Sequence, residues 1–263
     1  MTEARTAQER TARTGTAQAD TTQNGAAQTS TDARTDPTAG FRRIAGAVAL
    51  PLAFACQLAC NTLYAAASTG NAGDSGSGEQ TIQFYASHAT AMLAATLLAL
   101  LGCLLAVPGM LAALRTLRPA RPRLALWAAG LMIAGYVCYF GIVFTNFGTL
   151  ALAQSDVSRK AAGAALDDTQ AIPAAVAVFL VFVVGNLLGT LLLGLAVILG
   201  ARRTGIPWWS GLLIACWTVG HLANILGAGE WAAVGGGALE VVGLSLVAVV
   251  ALRTPNTEWT ARG

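Results

Sequence analysis

The sequence predicts an all-α membrane protein, a polytopic six-helix transmembrane bundle preceded by a disordered N-terminal tail. Of its 263 residues, 55% are hydrophobic and only 11% are charged, whereas soluble domains carry about 25% charged residues. Long apolar runs follow one another from Phe41 onward, and each reaches the roughly 20 residues that span a hydrocarbon core. Arginines are concentrated in alternate connections between these runs, as the positive-inside rule leads us to expect.

The first 40 residues differ in composition from the rest of the chain. They are rich in Thr, Ala, Gln and Arg and contain almost no large apolar side chains. Such a segment buries too little apolar surface to offset its ordering entropy, so we predict that residues 1–40 are a disordered cytoplasmic tail. Its first apolar run comes too late for a signal peptide, and its arginines and acids nearly cancel, which does not favour a lipid-binding tail.

The apolar runs predict where the spanning helices lie. Pro173 and Pro207 open two of the runs, and proline fits the first turn of a helix. Asp167 and Asp168 suit the N-terminus of the helix that begins at Pro173. We predict a transmembrane domain over 41–253 and a short cytoplasmic C-terminal tail over 254–263, with helices near 42–67, 84–115, 124–152, 173–200, 207–227 and 231–252.

Charges in the connections predict the orientation. Ten arginines of the transmembrane domain and C-terminal tail fall on one side, and only Arg159 and Lys160 fall on the other. Because cytoplasmic connections carry the excess of Lys and Arg, we predict a multi-pass protein of the cell (plasma) membrane with both termini in the cytoplasm. The opposite side then has a flexible Gly/Ser-rich loop over 68–80 and a loop over 153–172 with a short helix around 158–166.

Small residues are spaced for close helix packing in two of the runs. Gly185 and Gly189 are four residues apart, and Gly236 and Gly237 each lie four residues after an alanine. This spacing lets two helix backbones approach closely. It serves either a specific dimer face or packing inside the bundle, and the sequence alone leaves both open.

Glu240 is the only acidic residue deep inside an apolar run, and His221 is the only such histidine. Ionisable residues inside a membrane are functional candidates by default. Counting from Trp208, His221 lies roughly 20 Å from the inner face at 1.5 Å per residue. Counting from Trp231, Glu240 lies about 16–17 Å from that face across a ~30 Å core. We therefore expect the two residues at similar depth on adjacent helices.

Two further polar residues accompany this pair. Thr218 and Asn224 lie three residues before and after His221, so they share its helix face. The candidate intramembrane polar site is therefore Glu240, His221, Asn224 and Thr218. It is either a proton- or ligand-binding site or a hydrogen-bonded pair that fixes one helix against the next, and a third possibility is that Glu240 and His221 do not meet.

The sequence gives little support for a thiol, metal or haem site. Cys56 and Cys60 share a helix face, but small buried hydrophobes explain them better than a thiol or metal pair. A haem between His88 and His221 needs both at one level, and His88 begins its helix at the interface. We predict no catalytic residue, metal ion or cofactor, and the net charge of +3 gives no reason to expect a nucleic-acid partner.

A resemblance covers about a fifth of the chain, from Phe84 to Gly135. It is carried by Tyr85-Ala86-Ser87-His88, by the Val107-Pro108-Gly109 step, and by the arginine loop that leads into Pro122-Arg123-Leu124. This stretch resembles small multi-pass integral membrane proteins of GC-rich actinobacteria. The resemblance implies six helices, but it implies no activity and no functional residue.

These observations favour a non-enzymatic membrane protein, an interaction or regulatory component of the cell envelope. Its expected partners are the lipid bilayer and a membrane protein or a second copy of the chain. The alternative is a small-solute or proton-coupled transporter that uses the intramembrane Glu/His site.

Overall fold

The computed structural model describes residues 36–69 and 76–262. The prediction of a disordered tail falls almost entirely outside these residues, as does much of the predicted 68–80 loop. Within them the chain is all-α, as predicted. Ten α-helices occur in this part of the chain: α1 Ala39–Ser68, α2 Gly78–Ser87, α3 Ala89–Leu117, α4 Pro122–Phe144, α5 Asn146–Ala153, α6 Arg159–Gln170, α7 Pro173–Thr204, α8 Trp208–Ala223, α9 Glu230–Arg253 and α10 Asn256–Ala261.

The chain is a multi-pass membrane protein. Six apolar helical segments of 21 to 32 residues are long enough to cross a bilayer, which confirms the predicted number of spans among the described residues. They are α1, α3, α4 continued by α5, α7, α8 with the turn that follows it, and α9. Two spans are interrupted by short irregularities, at Thr145 between α4 and α5 and at the π-helical residues Asn224–Ala228 after α8.

The spanning helices pack in chain order and close on themselves. Helix α1 packs on α3, α3 on α4, α4 on α7, α7 on α8 and α8 on α9, and α9 returns to α1. Small residues allow this close packing. A side chain at Gly109 would meet the backbone of Leu50 on α1, and one at Gly185 would meet Gly135 on α4. The small-residue pair of α7 therefore packs inside the bundle, against α4.

The two ends of the bundle differ in charge and in what covers them. One end, the arginine end, carries the basic residues Arg43, Arg121 and Arg202. The opposite end, the loop end, carries α2 and α6. At the loop end Gly78 and Gly163 bring α2 and α6 into backbone contact. The Asp167 carboxylate accepts a 2.8 Å hydrogen bond from the Gly78 amide. The predicted helix around 158–166 is confirmed as α6, but Asp167 lies inside it and caps α2, not the helix that begins at Pro173.

The arginine end is closed by the C-terminal segment. Helix α10 buries Trp259, which is 1% exposed, among Ala47, Ala112 and Ala251. The guanidinium of Arg115 lies over the Trp259 ring, 5.6 Å from its centroid. The segment predicted as a short tail is thus a helix packed on the bundle, because its one tryptophan inserts between α1, α3 and α9.

Candidate functional site

Glu240 lies on the buried face of α9 and is 2% exposed. Its Oε1 atom has no hydrogen-bond partner among the described residues. Glycines stand one turn away on either side, and a side chain at Gly236 or Gly243 would meet the backbone of α8. The carboxyl group is therefore enclosed where α8 and α9 run closest together.

His221 lies on α8, and its hydrogen-bond partner lies on the same helix. Its Nδ1 donates to the carbonyl of Trp217, one turn earlier, at 3.2 Å. Its ring also packs on the Trp217 indole, with a centroid separation of 4.0 Å. Because Nδ1 carries the proton in this arrangement, Nε2 is the acceptor of the neutral ring.

The remaining two predicted residues face different neighbours. Thr218 donates to the carbonyl of Leu187 on α7 at 3.2 Å. Asn224, in the π-helical turn, donates to the carboxylate of Glu230 at 3.0 Å. Thr218 thus ties α8 to α7, whereas Asn224 closes the hairpin between α8 and α9.

The four predicted residues do not form one hydrogen-bonded cluster in the described part of the chain. Gly220 lies against Gly236 and the two helices are antiparallel, so His221 is level with Gly235, and Glu240 is five residues further along α9. At 1.5 Å per residue the two side chains are separated by about 7–8 Å along the bundle axis. This is more than the few ångströms that counting from Trp208 and Trp231 predicts.

The neighbours of Glu240 that sequence analysis missed lie across the bundle. Tyr136 of α4 lies within electrostatic range of both Glu240 and Cys103. Gln57 of α1 donates to the carbonyl of Ala99 at 3.0 Å and contacts the Cys103 sulfur at 3.6 Å. Gln57, Cys103 and Tyr136 are all buried, so they form a polar layer in the interior beside Glu240.

A cavity of about 210 Å³ lies between this polar layer and the loop end. It is bounded by α1, α3 and α4, with one side chain each from α2 and α5. Asn146 donates to the Thr96 hydroxyl in its wall, at 3.5 Å. At about 30 Å³ per water, the volume suits several waters or one small solute. Its aromatic and polar lining residues are Asn61, Tyr64, Tyr85, Thr96, Tyr139 and Asn146.

Aromatic contacts lead from the cavity into the interior of the bundle. Tyr139 lines the cavity, and its ring lies 6.5 Å from that of Tyr136, edge to face. Phe182 stacks on the Tyr139 ring at 4.4 Å, which fixes the orientation of that ring. Two neighbouring tyrosines thus join the cavity wall to the polar layer.

In the part of the chain that the structure describes, no three His, Cys, Asp or Glu side chains lie close enough together to hold a metal ion. His88 lies at the break between α2 and α3, and its Nδ1 donates to the carbonyl of Phe84 at 3.1 Å.

The site can exchange protons at Glu240 and hydrogen-bond a small molecule in the cavity. Comparisons with protein-family models, curated proteins and solved structures find no match to this chain.

Proposed function

We propose that this protein is a non-enzymatic, proton-coupled transporter of a small solute, with Glu240 as the group that takes up and releases the proton. The observation that carries the proposal is the enclosed Oε1 of Glu240, which has no hydrogen-bond partner in the described chain. Buried polar groups are nearly always hydrogen-bonded, and an exception calls for an explanation such as a catalytic or transport role.

The structural alternative for Glu240 has lost its main support. It required a hydrogen bond to His221 that fixes α8 against α9. His221 is instead bonded to Trp217, and glycine contacts already hold the two helices together. The proposal therefore assigns Glu240 a titrating role and not a role in holding the two helices together.

The surroundings of Glu240 are compatible with proton exchange. Tyr136 on α4 is the titratable side chain across from it, and His221 lies further toward the loop end on α8. Among the described residues no Lys or Arg forms an ion pair with Glu240. Protonation of Glu240 therefore removes a buried charge that nothing else neutralises.

The experiment uses purified protein in lipid vesicles that contain a pH-sensitive dye. Choline, glycerol and methanesulfonate are added outside in turn, as cationic, neutral and anionic probes. We expect one class to change the internal pH in wild-type vesicles and Glu240→Gln to abolish that change. Glu258→Gln is the matched control, because it makes the same substitution at an exposed glutamate outside the spanning helices and should retain the change.

Two results overturn the proposal. One is proton movement in Glu240→Gln at the wild-type rate. The other is the absence of proton movement with all three probes in vesicles that contain folded wild-type protein.

The second candidate is an interaction or regulatory component of the cell envelope. The loop-end half of α7 favours it, because Val178, Phe179 and Leu180 are all exposed although they are successive residues on one helix. Lipid covers such a surface in a monomer, and another transmembrane helix covers it in a complex. Native mass spectrometry from mild detergent distinguishes these cases, and a strictly monomeric, partner-free protein counts against this candidate.

We propose further that the arginine end faces the cytoplasm and that the membrane is the cell membrane. The support is the distribution of charge. Arg43, Arg118 and Arg121 all lie at the arginine end, where each donates to a backbone carbonyl near a helix end or at the C-terminus. The rule that cytoplasmic connections are rich in arginine then places both termini inside.

A further inference from the structure

The cavity at the loop end presents aromatic rings. Tyr64 of α1, Tyr85 of α2 and Tyr139 of α4 all line it. The three tyrosines come from three different helices. The face of an aromatic ring attracts a cation within about 6 Å of its centre, and the attraction is strongest where water is excluded.

The rest of the lining adds polarity without charge. Asn61 and Asn146 contribute amide groups, and Thr96 contributes a hydroxyl. No Lys, Arg, Asp or Glu is among the described residues that line the cavity. An anion would therefore find no cationic partner in the wall, whereas a weakly hydrated cation would find rings and amide oxygens.

The surface around the cavity has the sign that attracts cations. The described residues of the loop end carry five acidic side chains against two basic ones, Arg159 and Lys160. A surface of one predominant sign raises the local concentration of ions of the opposite sign. The acidic residues are Glu79, Asp156, Asp167, Asp168 and Glu230.

We propose that the loop-end cavity binds a small organic cation of the alkylammonium or quaternary ammonium class. The volume of about 210 Å³ accommodates such an ion but not a large one. As a statement about the transported solute, this inference rests on the proposed function. As a statement about binding, it rests on the cavity alone.

The test compares two ligands that differ in charge but hardly in shape. Choline has a cationic nitrogen where 3,3-dimethylbutan-1-ol has a neutral carbon. Binding of each is measured by calorimetric titration of the purified protein in detergent. We expect choline to bind at least about tenfold more tightly than the alcohol, because only the cation gains the attraction of the rings.

Substitutions then locate the site. Tyr139→Leu removes a ring and should weaken choline binding by about tenfold or more, whereas Tyr139→Phe keeps the ring and should stay within a few-fold of wild type. Phe144→Leu is the matched control, because Phe144 is an exposed aromatic residue at the end of the same helix. Tyr64→Leu replaces Tyr139→Leu if the latter fails to fold.

Each outcome has a defined meaning. Equal binding of choline and the alcohol, or choline binding that is unchanged in Tyr139→Leu (in Tyr64→Leu, where that variant replaces it), overturns the inference. Ring-dependent choline binding without proton movement by any of the three probes leaves the inference standing and overturns the proposed function. Proton movement with glycerol or methanesulfonate, without ring-dependent choline binding, supports the proposed function and overturns this inference.

Discussion

Three consecutive glycines in α9 provide a graded test of how α8 and α9 pack. A Cβ atom at Gly235 would meet nothing within 4 Å. At Gly237 the nearest atom would be a Leu58 methyl at 3.4 Å, which is an ordinary contact. At Gly236 the Cβ would lie 2.5 Å from the carbonyl oxygen of Cys216. Only the middle glycine is therefore required by the approach of the two backbones.

The expected magnitudes follow from these distances. To bring the 2.5 Å contact to 3.4 Å, the two helices must separate by about 0.9 Å, and overpacking of this kind costs about 1–3 kcal/mol. Replacing glycine by alanine inside a helix also contributes about 1 kcal/mol in favour of folding. That contribution is common to all three variants. Gly236→Ala should therefore be less stable than Gly235→Ala by about 1–3 kcal/mol.

Thermal unfolding in detergent, followed by helical circular dichroism, measures the difference. A change of 1 kcal/mol moves the midpoint by about 2–4 °C in a chain of 150–250 residues. We expect Gly235→Ala to melt at or above the wild-type temperature, Gly237→Ala near it, and Gly236→Ala below both. If Gly235→Ala is as destabilised as Gly236→Ala, the assignment of the α9 faces is incorrect.

Two further predictions concern the arginine end. Trp259→Ala should destabilise the bundle by about 3–5 kcal/mol, because it empties a fully buried site, whereas Trp209→Ala should have little effect, since Trp209 is 44% exposed; thermal unfolding compares them. Reporter fusions at the C-terminus and after Ser77 should be active in the cytoplasm and outside it, respectively, and the reverse pattern would contradict the proposed orientation.

The spans could be predicted from the sequence because the bilayer imposes a strong constraint. A segment that crosses hydrocarbon must satisfy its backbone internally and must be apolar for about 20 residues. Small-residue spacing also indicated close packing, and Gly185 and Gly236 do lie at helix contacts. The sequence could not decide between a dimer face and internal packing, because both need the same residues.

The partner of Asp167 could not be predicted. Sequence analysis assigned this residue to the nearest helix N-terminus, only a few positions away at Pro173. In the structure it caps α2 at Gly78, which is 89 positions earlier in the chain. An aspartate satisfies either N-terminus equally well, so only the contact between α2 and α6 decides.

The candidate site was predicted in part. Glu240 stood out because it is the one acid inside an apolar run. Gln57 and Tyr136 did not stand out, since uncharged polar and aromatic side chains are common in spans. Tyr136 and Tyr139 are three residues apart and therefore share a face of α4. That spacing, together with Gln57 in a run of apolar residues, was the available signal.

The separation of His221 from Glu240 also bears on function. Depth counted from tryptophans assumes that Trp208 and Trp231 mark fixed planes, and a shift of one helical turn changes the result by about 5.4 Å. The structure has a five-residue π-helical turn at Asn224–Ala228 between the two helices, which such counting ignores. The sequence therefore predicted a similar depth for the two residues and left open whether they meet, and in the structure they are separate groups.

The consequence concerns Glu240, whose Oε1 is buried without a hydrogen-bond partner among the described residues. A buried polar group without a hydrogen bond costs about 1–3 kcal/mol, and more if it is charged. The close approach of α8 and α9 depends on Gly220 and Gly236, which a leucine or alanine at position 240 would leave in place. Packing alone thus favours an apolar residue there. Under the proposed function, a carboxyl group at that position serves to bind and release a proton.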